Sequence, residues 1–105
     1  MKIQFDPAAD ALYLQLAPDQ VVDSETIEPD LVYDYDAENQ VIGVEVLRVS
    51  VNLADLAVKP LPFSSLEQQV EFINFLESLA DQDLQAKLAF AKQILQNQRA
   101  LLQKA

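Results

Sequence analysis

The chain has 105 residues, half of them apolar, and carries seventeen Asp and Glu against seven Lys and Arg for a formal net charge of −10. That length suits one hydrophobic core, because chains divide into several cores only well beyond ~250 residues. The lack of Cys and His excludes disulfides, thiolate metal sites, the common zinc ligands and the usual neutral-pH general base, and a single glycine, Gly43, excludes a P-loop or a dinucleotide fingerprint.

The surplus of acid opposes a nucleic-acid backbone, so no nucleic-acid partner is expected. No apolar run approaches the ~18 residues needed to cross a bilayer, and the N-terminus alternates like a strand instead of reading as a leader. The expectation is a cytoplasmic protein without a membrane partner. All seventeen acids lie within residues 1–83 beside Lys2, Arg48 and Lys59, whereas residues 84–105 hold Lys87, Lys92, Arg99 and Lys104 and no acid.

In chain order, Lys2 to Phe5 and Ala11 to Leu16 alternate as short strands, and Asp6-Pro7-Ala8-Ala9-Asp10 between them has the acid-then-proline order of a turn. Closing the loop over Pro7 to Asp10 pairs Phe5 with Leu12 and Ile3 with Leu14, which collects the large apolar groups on one face. Val21 to Ile27 is acidic and could form a further edge strand, its Asp23, Glu25 and Glu28 discouraging edge-to-edge pairing.

A second hairpin sets Leu31–Tyr35 against Val41–Leu47. Pairing Tyr35 with Ile42, Tyr33 with Val44 and Leu31 with Val46 keeps one core face and leaves Asp34, Asp36 and Glu45 on the other. Asn52 to Pro62 reads as a connector, because Pro60 and Pro62 block helix and central strand alike.

Ser64-Ser65-Leu66-Glu67 matches a capping box with Ser64 as N-cap, opening a helix whose stripe is Leu66, Val70, Ile73 and Leu76, widened by Phe72, Phe75 and Leu79. After a break at Asp81-Gln82-Asp83, Leu84, Leu88, Ala91, Leu95 and Leu102 follow helical steps, with Phe90, Ile94 and Leu101 as a second apolar line. This apolar surface exceeds what a small sheet covers, so a homodimer is expected, with Leu88, Leu95 and Leu102 as its contact residues.

Phe5-Asp6-Pro7-Ala8-Ala9-Asp10-Ala11-Leu12-Tyr13-Leu14, the acids up to Glu28-Pro29, Asp34-Tyr35-Asp36 and Val41-Ile42-Gly43-Val44-Glu45-Val46-Leu47 together resemble the small prokaryotic DUF2283 family of unknown function. The resemblance covers about residues 1–50. It implies a β-rich protein with no assigned activity, and an interaction or antitoxin-like role, since some members look like partners of toxin-like RNases. Asp30 stands where the family often has glycine after the proline, a departure that bears on the local turn.

Three constellations invite chemistry. Asp34, Asp36, Glu38, Val41 and Glu45 fall at calcium-loop spacing, yet Asn39 occupies the glycine position and the flanks alternate like strands, so a hairpin with an acidic face explains the same pattern. Asp6 and Asp10 could join Asp34 or Glu45 in a carboxylate cluster, although the turn gives both residues structural reasons. Tyr33 and Tyr35 share the core face, whereas Tyr13 points away from Leu12 and Leu14 and is a candidate contact residue.

The reading is one α+β domain over residues 1–105, with a β-rich part at 1–51, a connector at 52–63 and a helical extension at 64–105. A four-stranded antiparallel sheet from two hairpins has one face covered by the C-terminal helices. The expected function is a non-enzymatic protein-interaction module that binds itself and a basic protein partner, with no cofactor, metal or catalytic residue. The alternatives are a divalent-cation binder or metal-dependent hydrolase using the acidic cluster, and a structural self-associating protein.

Overall fold

The computed structural model describes residues 1–79, 90 and 93–98. The chain divides into two compact units, one spanning Met1–Asn52 and one beginning at Leu53. The architecture is α+β.

The first unit is an open antiparallel sheet of five strands: β1 (Lys2–Asp6), β2 (Ala11–Gln15), β3 (Asp23–Glu28), β4 (Leu31–Tyr35) and β5 (Val41–Val46), in the order β1-β2-β5-β4-β3. The expected four strands are thus corrected to five. β3, read from the sequence as a possible edge, is a full strand because it pairs with β4 through the turn at Pro29 and Asp30. A contact distant in sequence, β2 against β5, joins the two hairpins into one sheet.

The first hairpin has the expected register, Ile3 opposite Leu14 and Phe5 opposite Leu12. In the second, Leu31 opposes Val46 and Tyr33 opposes Val44 as expected, but Tyr35 opposes Val41 instead of Ile42 because the ladder shifts between Asp34 and Tyr35. Ile42 is the residue passed over, and its carbonyl accepts from the N–H groups of Leu16 and Ala17 at 2.9 and 3.3 Å at the end of β2. A bulge placed there serves two neighbours at once.

Because successive side chains alternate, the ladder sorts whole rows onto each face. Ile3, Leu14, Val44, Tyr33 and Glu25 form one row of the apolar face, and Phe5, Leu12, Val46, Leu31 and Glu28 the next. Leu12, Leu14, Val44, Val46 and Leu31 are buried, and toward β3 the same face turns aromatic and acidic. Tyr33 and Tyr35 are half-buried there.

Helix α1 (Val49–Leu56) follows β5, so residues 52–56 of the expected connector are helical. The prolines act only further on. The first-turn amide of Ser50 is capped from a distance, its N–H donating to Asp10 Oδ1 at 3.0 Å and its Oγ–H to Asp10 Oδ2 at 2.6 Å, while Val49 N–H donates to the Asp10 carbonyl at 3.0 Å. No local pattern announces such a cap.

In the second unit, the N–H groups of Leu61 and Phe63 donate to the carbonyls of Lys59 and Leu61, both at 2.9 Å, which places Pro60 and Pro62 at the centres of γ-turns. Helix α2 (Leu66–Leu79) then starts one residue later than expected: Ser65 Oγ accepts from Gln68 N–H at 3.2 Å, and Gln68 Oε1 accepts from Ser64 N–H at 2.8 Å. Ser65 with Gln68 satisfies the capping pattern as well as Ser64 with Glu67, and the tight turns through Phe63 delay the helix. Leu56, Leu61, Phe72, Ile73 and Leu76 are the buried apolar groups among the described residues of this unit, and the rings of Phe63 and Phe72 lie 5.5 Å apart.

Candidate functional site

The face opposite the apolar rows is polar. Register places Gln4, Tyr13, Glu45, Val32 and Thr26 in one row, and Lys2, Gln15, Gly43, Asp34 and Ser24 in the next. Tyr13 stands on this face, as expected for a side chain turned away from Leu12 and Leu14.

Its ring lies across Gly43. A Cβ on that residue would come within 2.7 Å of Tyr13 Cζ and 3.3 Å of Asp34 Cβ, so only a bare backbone fits beneath the phenol. Beyond Gly43 the Tyr13 hydroxyl donates to Asp34 Oδ2 at 2.8 Å, and Asp34 Oδ1 accepts from Ser24 Oγ at 2.6 Å. The chain of bonds ties β2, β4 and β3 together over β5.

Burial, then the hydrogen bond to Asp34 and the negative charges of Asp34 and Glu45, push the Tyr13 phenol up to about 12. The phenol therefore remains a protonated donor, and both Asp34 oxygens carry a hydrogen bond. This arrangement suits a structural clamp better than acid–base chemistry.

The remaining sequence candidates are dispersed into structural work. Asp36 is buried, and its Oδ1 accepts from the N–H groups of Glu38 and Gln40 at 3.0 and 2.8 Å, closing the hairpin turn in which Asn39 takes a positive φ of 62°. Asp6 Oδ1 accepts from Ala8 and Ala9 N–H at 3.0 and 3.3 Å. Asp10 caps α1. Asp6 and Glu45 border one shallow depression of about 200 Å³ with Gln4 and Tyr13, but among the described residues no three carboxylates converge as a metal site would require.

Asp30 has found a use of its own. Arg48 Nε and Nη2 donate to it at 2.9 and 2.7 Å, and Asn52 Nδ2 donates at 3.0 Å, so its carboxyl is held below the usual carboxylate range chiefly by the Arg48 and Asn52 hydrogen bonds. Arg48, at a positive φ of 48°, is thereby fixed at the junction of β5 and α1.

β3 is the outer strand of the sheet beside β4. All six residues of Asp23–Glu28 are exposed, and Val21, Val22 and Ile27 beside or within it are 42%, 58% and 40% exposed. Tyr35 donates to Glu25 Oε1 at 3.0 Å, a bond that, ahead of burial and nearby carboxylates, raises the Tyr35 phenol.

Residues 2–50 match the family model described as a protein of unknown function, DUF2283. The sheet unit is a DUF2283 domain. No curated protein and no solved structure matches the chain. The DUF2283 match takes in β1 to β5 and ends inside α1, so the clamp, the Asp10 cap and the β3 edge all fall within it.

Of the expected self-association residues, Leu88 and Leu102 lie outside the described residues. Leu95 is half-buried and lines a cavity of about 200 Å³ with Leu56, Leu61, Phe72 and Ile73. Phe90 and Ile94, from the second apolar line, are 70% and 45% exposed. No helix among the described residues is long and apolar enough to cross a membrane.

Sequence reasoning missed the part played by Gly43. The available signal was a glycine inside the β-branched run Val41-Ile42-Gly43-Val44, which marks a bulge or a close approach. It marks both here. The Asp34–Ser24 bond had no signal, because it depends on β3 joining the sheet.

Proposed function

We propose that the protein is a non-enzymatic interaction module acting in the cytoplasm, whose β3 edge receives an extended basic segment of a partner protein and neutralises it in the manner of an antitoxin. The observation that carries this reading is the edge strand Asp23–Glu28, each of whose residues is exposed, with its acids at Asp23, Glu25 and Glu28. An edge strand offers outward N–H and C=O groups to an added strand, which supplies affinity, while side chains supply selection. Exposed Val21, Val22 and Ile27 add apolar contact alongside the acids.

Two β3 strands pairing with each other would crowd like charges along one ladder, which disfavours self-pairing. A Lys- or Arg-bearing strand reverses that sign. The net charge of −10 also steers a basic partner toward the protein and makes the encounter sensitive to salt.

The test is calorimetric titration with a synthetic peptide of alternating Lys and Val, combined with amide NMR. Binding that perturbs the amides of Val21 to Glu28, weakens as salt rises and is lost in the Glu25→Lys, Glu28→Lys variant supports the reading. Equal binding by that folded variant, or perturbations elsewhere with β3 unchanged, refutes it.

A further inference from the structure

We propose that β1, the opposite edge of the sheet, is a self-complementary interface through which two copies of this chain pair antiparallel about a two-fold axis at Gln4. The two edges differ in kind. β3 carries three acids and a register shift between Thr26 and Glu28, both of which oppose self-pairing. β1 has neither proline nor bulge, keeps an unbroken register with β2, and bears one charge of each sign, Lys2 and Asp6, at its two ends.

An antiparallel pair centred on Gln4 sets Lys2 of one copy opposite Asp6 of the other, twice by symmetry, and Ile3 opposite Phe5. Alternation puts both charge pairs on the polar face and both apolar pairs on the opposite face. Ile3 and Phe5 are only half-buried within one copy, so pairing covers apolar surface left open. Moving the axis to Ile3 or to Phe5 leaves residues overhanging and separates the opposite charges. The Gln4-centred register alone uses the whole strand.

The charged ends are available for this contact. Lys2 is exposed and forms no ion pair among the described residues. Asp6 commits Oδ1 to its own turn, which leaves Oδ2 to meet an ammonium group. A strand this short buries little area beside a standard interface, so the dimer forms reversibly as concentration rises. Its continuous sheet carries a β3 edge at each far end. This inference is independent of what β3 binds.

Sedimentation velocity on the full chain over a wide concentration range tests it. Wild type is expected to show a monomer–dimer equilibrium, and Lys2→Glu, which sets Glu against Asp, to dimerise about tenfold or more weakly. Asp6→Lys, which sets Lys against Lys, should weaken likewise, whereas an equimolar mixture of the two variants should recover association, because every charge pair across a mixed dimer is again opposite in sign. Circular dichroism checks that Asp6→Lys folds without its turn bonds. Should it not fold, the comparison of Lys2→Glu with wild type decides alone, supported by slower amide exchange along β1 at high concentration. A wild type that stays monomeric, a Lys2→Glu variant that dimerises as wild type does, or two folded variants whose mixture fails to associate overturns the proposal.

Discussion

At Gly43 the added methyl of alanine would meet the Tyr13 ring, with Asp34 Cβ 3.3 Å away on the other side, so the substitution forces the phenol off its carboxylate. We expect Gly43→Ala to cost ~1–3 kcal/mol in chemical denaturation, the usual range for overfilling a packed site. In a Tyr13→Ala background the same change should cost clearly less, and purely additive effects would show that the ring does not lie over Gly43. The clamp also sets a pH dependence. The Tyr13 phenol ionises near 10.0 when unfolded and is pushed up to about 12 in the folded protein, so its contribution is complete below pH 10 and is lost as pH rises toward 12. Wild type should therefore lose stability relative to Tyr13→Phe across that alkaline window. A constant difference between the two would contradict the raised value.

At the scale of elements, α1 depends on a residue forty positions earlier in the chain, Asp10, whose carboxylate accepts from Ser50 N–H and Oγ–H. Asp10 also has a positive φ of 53°, which Gly or Asn tolerates better than Ala. Stability should fall in the order wild type, Asp10→Asn, Asp10→Gly, Asp10→Ala, with the last costing ~1–2 kcal/mol and speeding amide exchange in the first turn of α1. If Asp10→Ala leaves exchange unchanged, the cap is not what holds that turn. Local elements of this kind were readable to different depths. The register of the first hairpin followed from alternation alone, since a one-residue slip would turn Leu12 and Leu14 to the other face. The bulge beside Tyr35 was not readable, because the residue it passes over, Ile42, accepts from Leu16 N–H, and only the β2–β5 pairing brings those two residues together. The shift of the α2 cap from Ser64 to Ser65 had a local cause, but two adjacent serines each followed by Glu or Gln at the right distance left the pattern degenerate.

For the whole molecule, the sign of the charge and the fate of the sheet edges matter more than any single site. The acid-rich DUF2283 domain spends Asp6, Asp10, Asp30, Asp34 and Asp36 on turns, a cap, an ion pair and the clamp. Composition revealed the surplus of acid, but not which acids were committed, since that required the β3–β4 and β2–β5 pairings. On β3 an exposed strand edge, the acids Asp23, Glu25 and Glu28 and the exposed side chains of Val21 and Val22 coincide. The most direct measurement is affinity capture from the native host at low salt with wild type and the folded Glu25→Lys, Glu28→Lys variant, read by mass spectrometry. The account predicts a basic protein that wild type retains, that elutes as salt rises and that the variant does not hold. The same protein on both baits, retained without regard to salt, would contradict it.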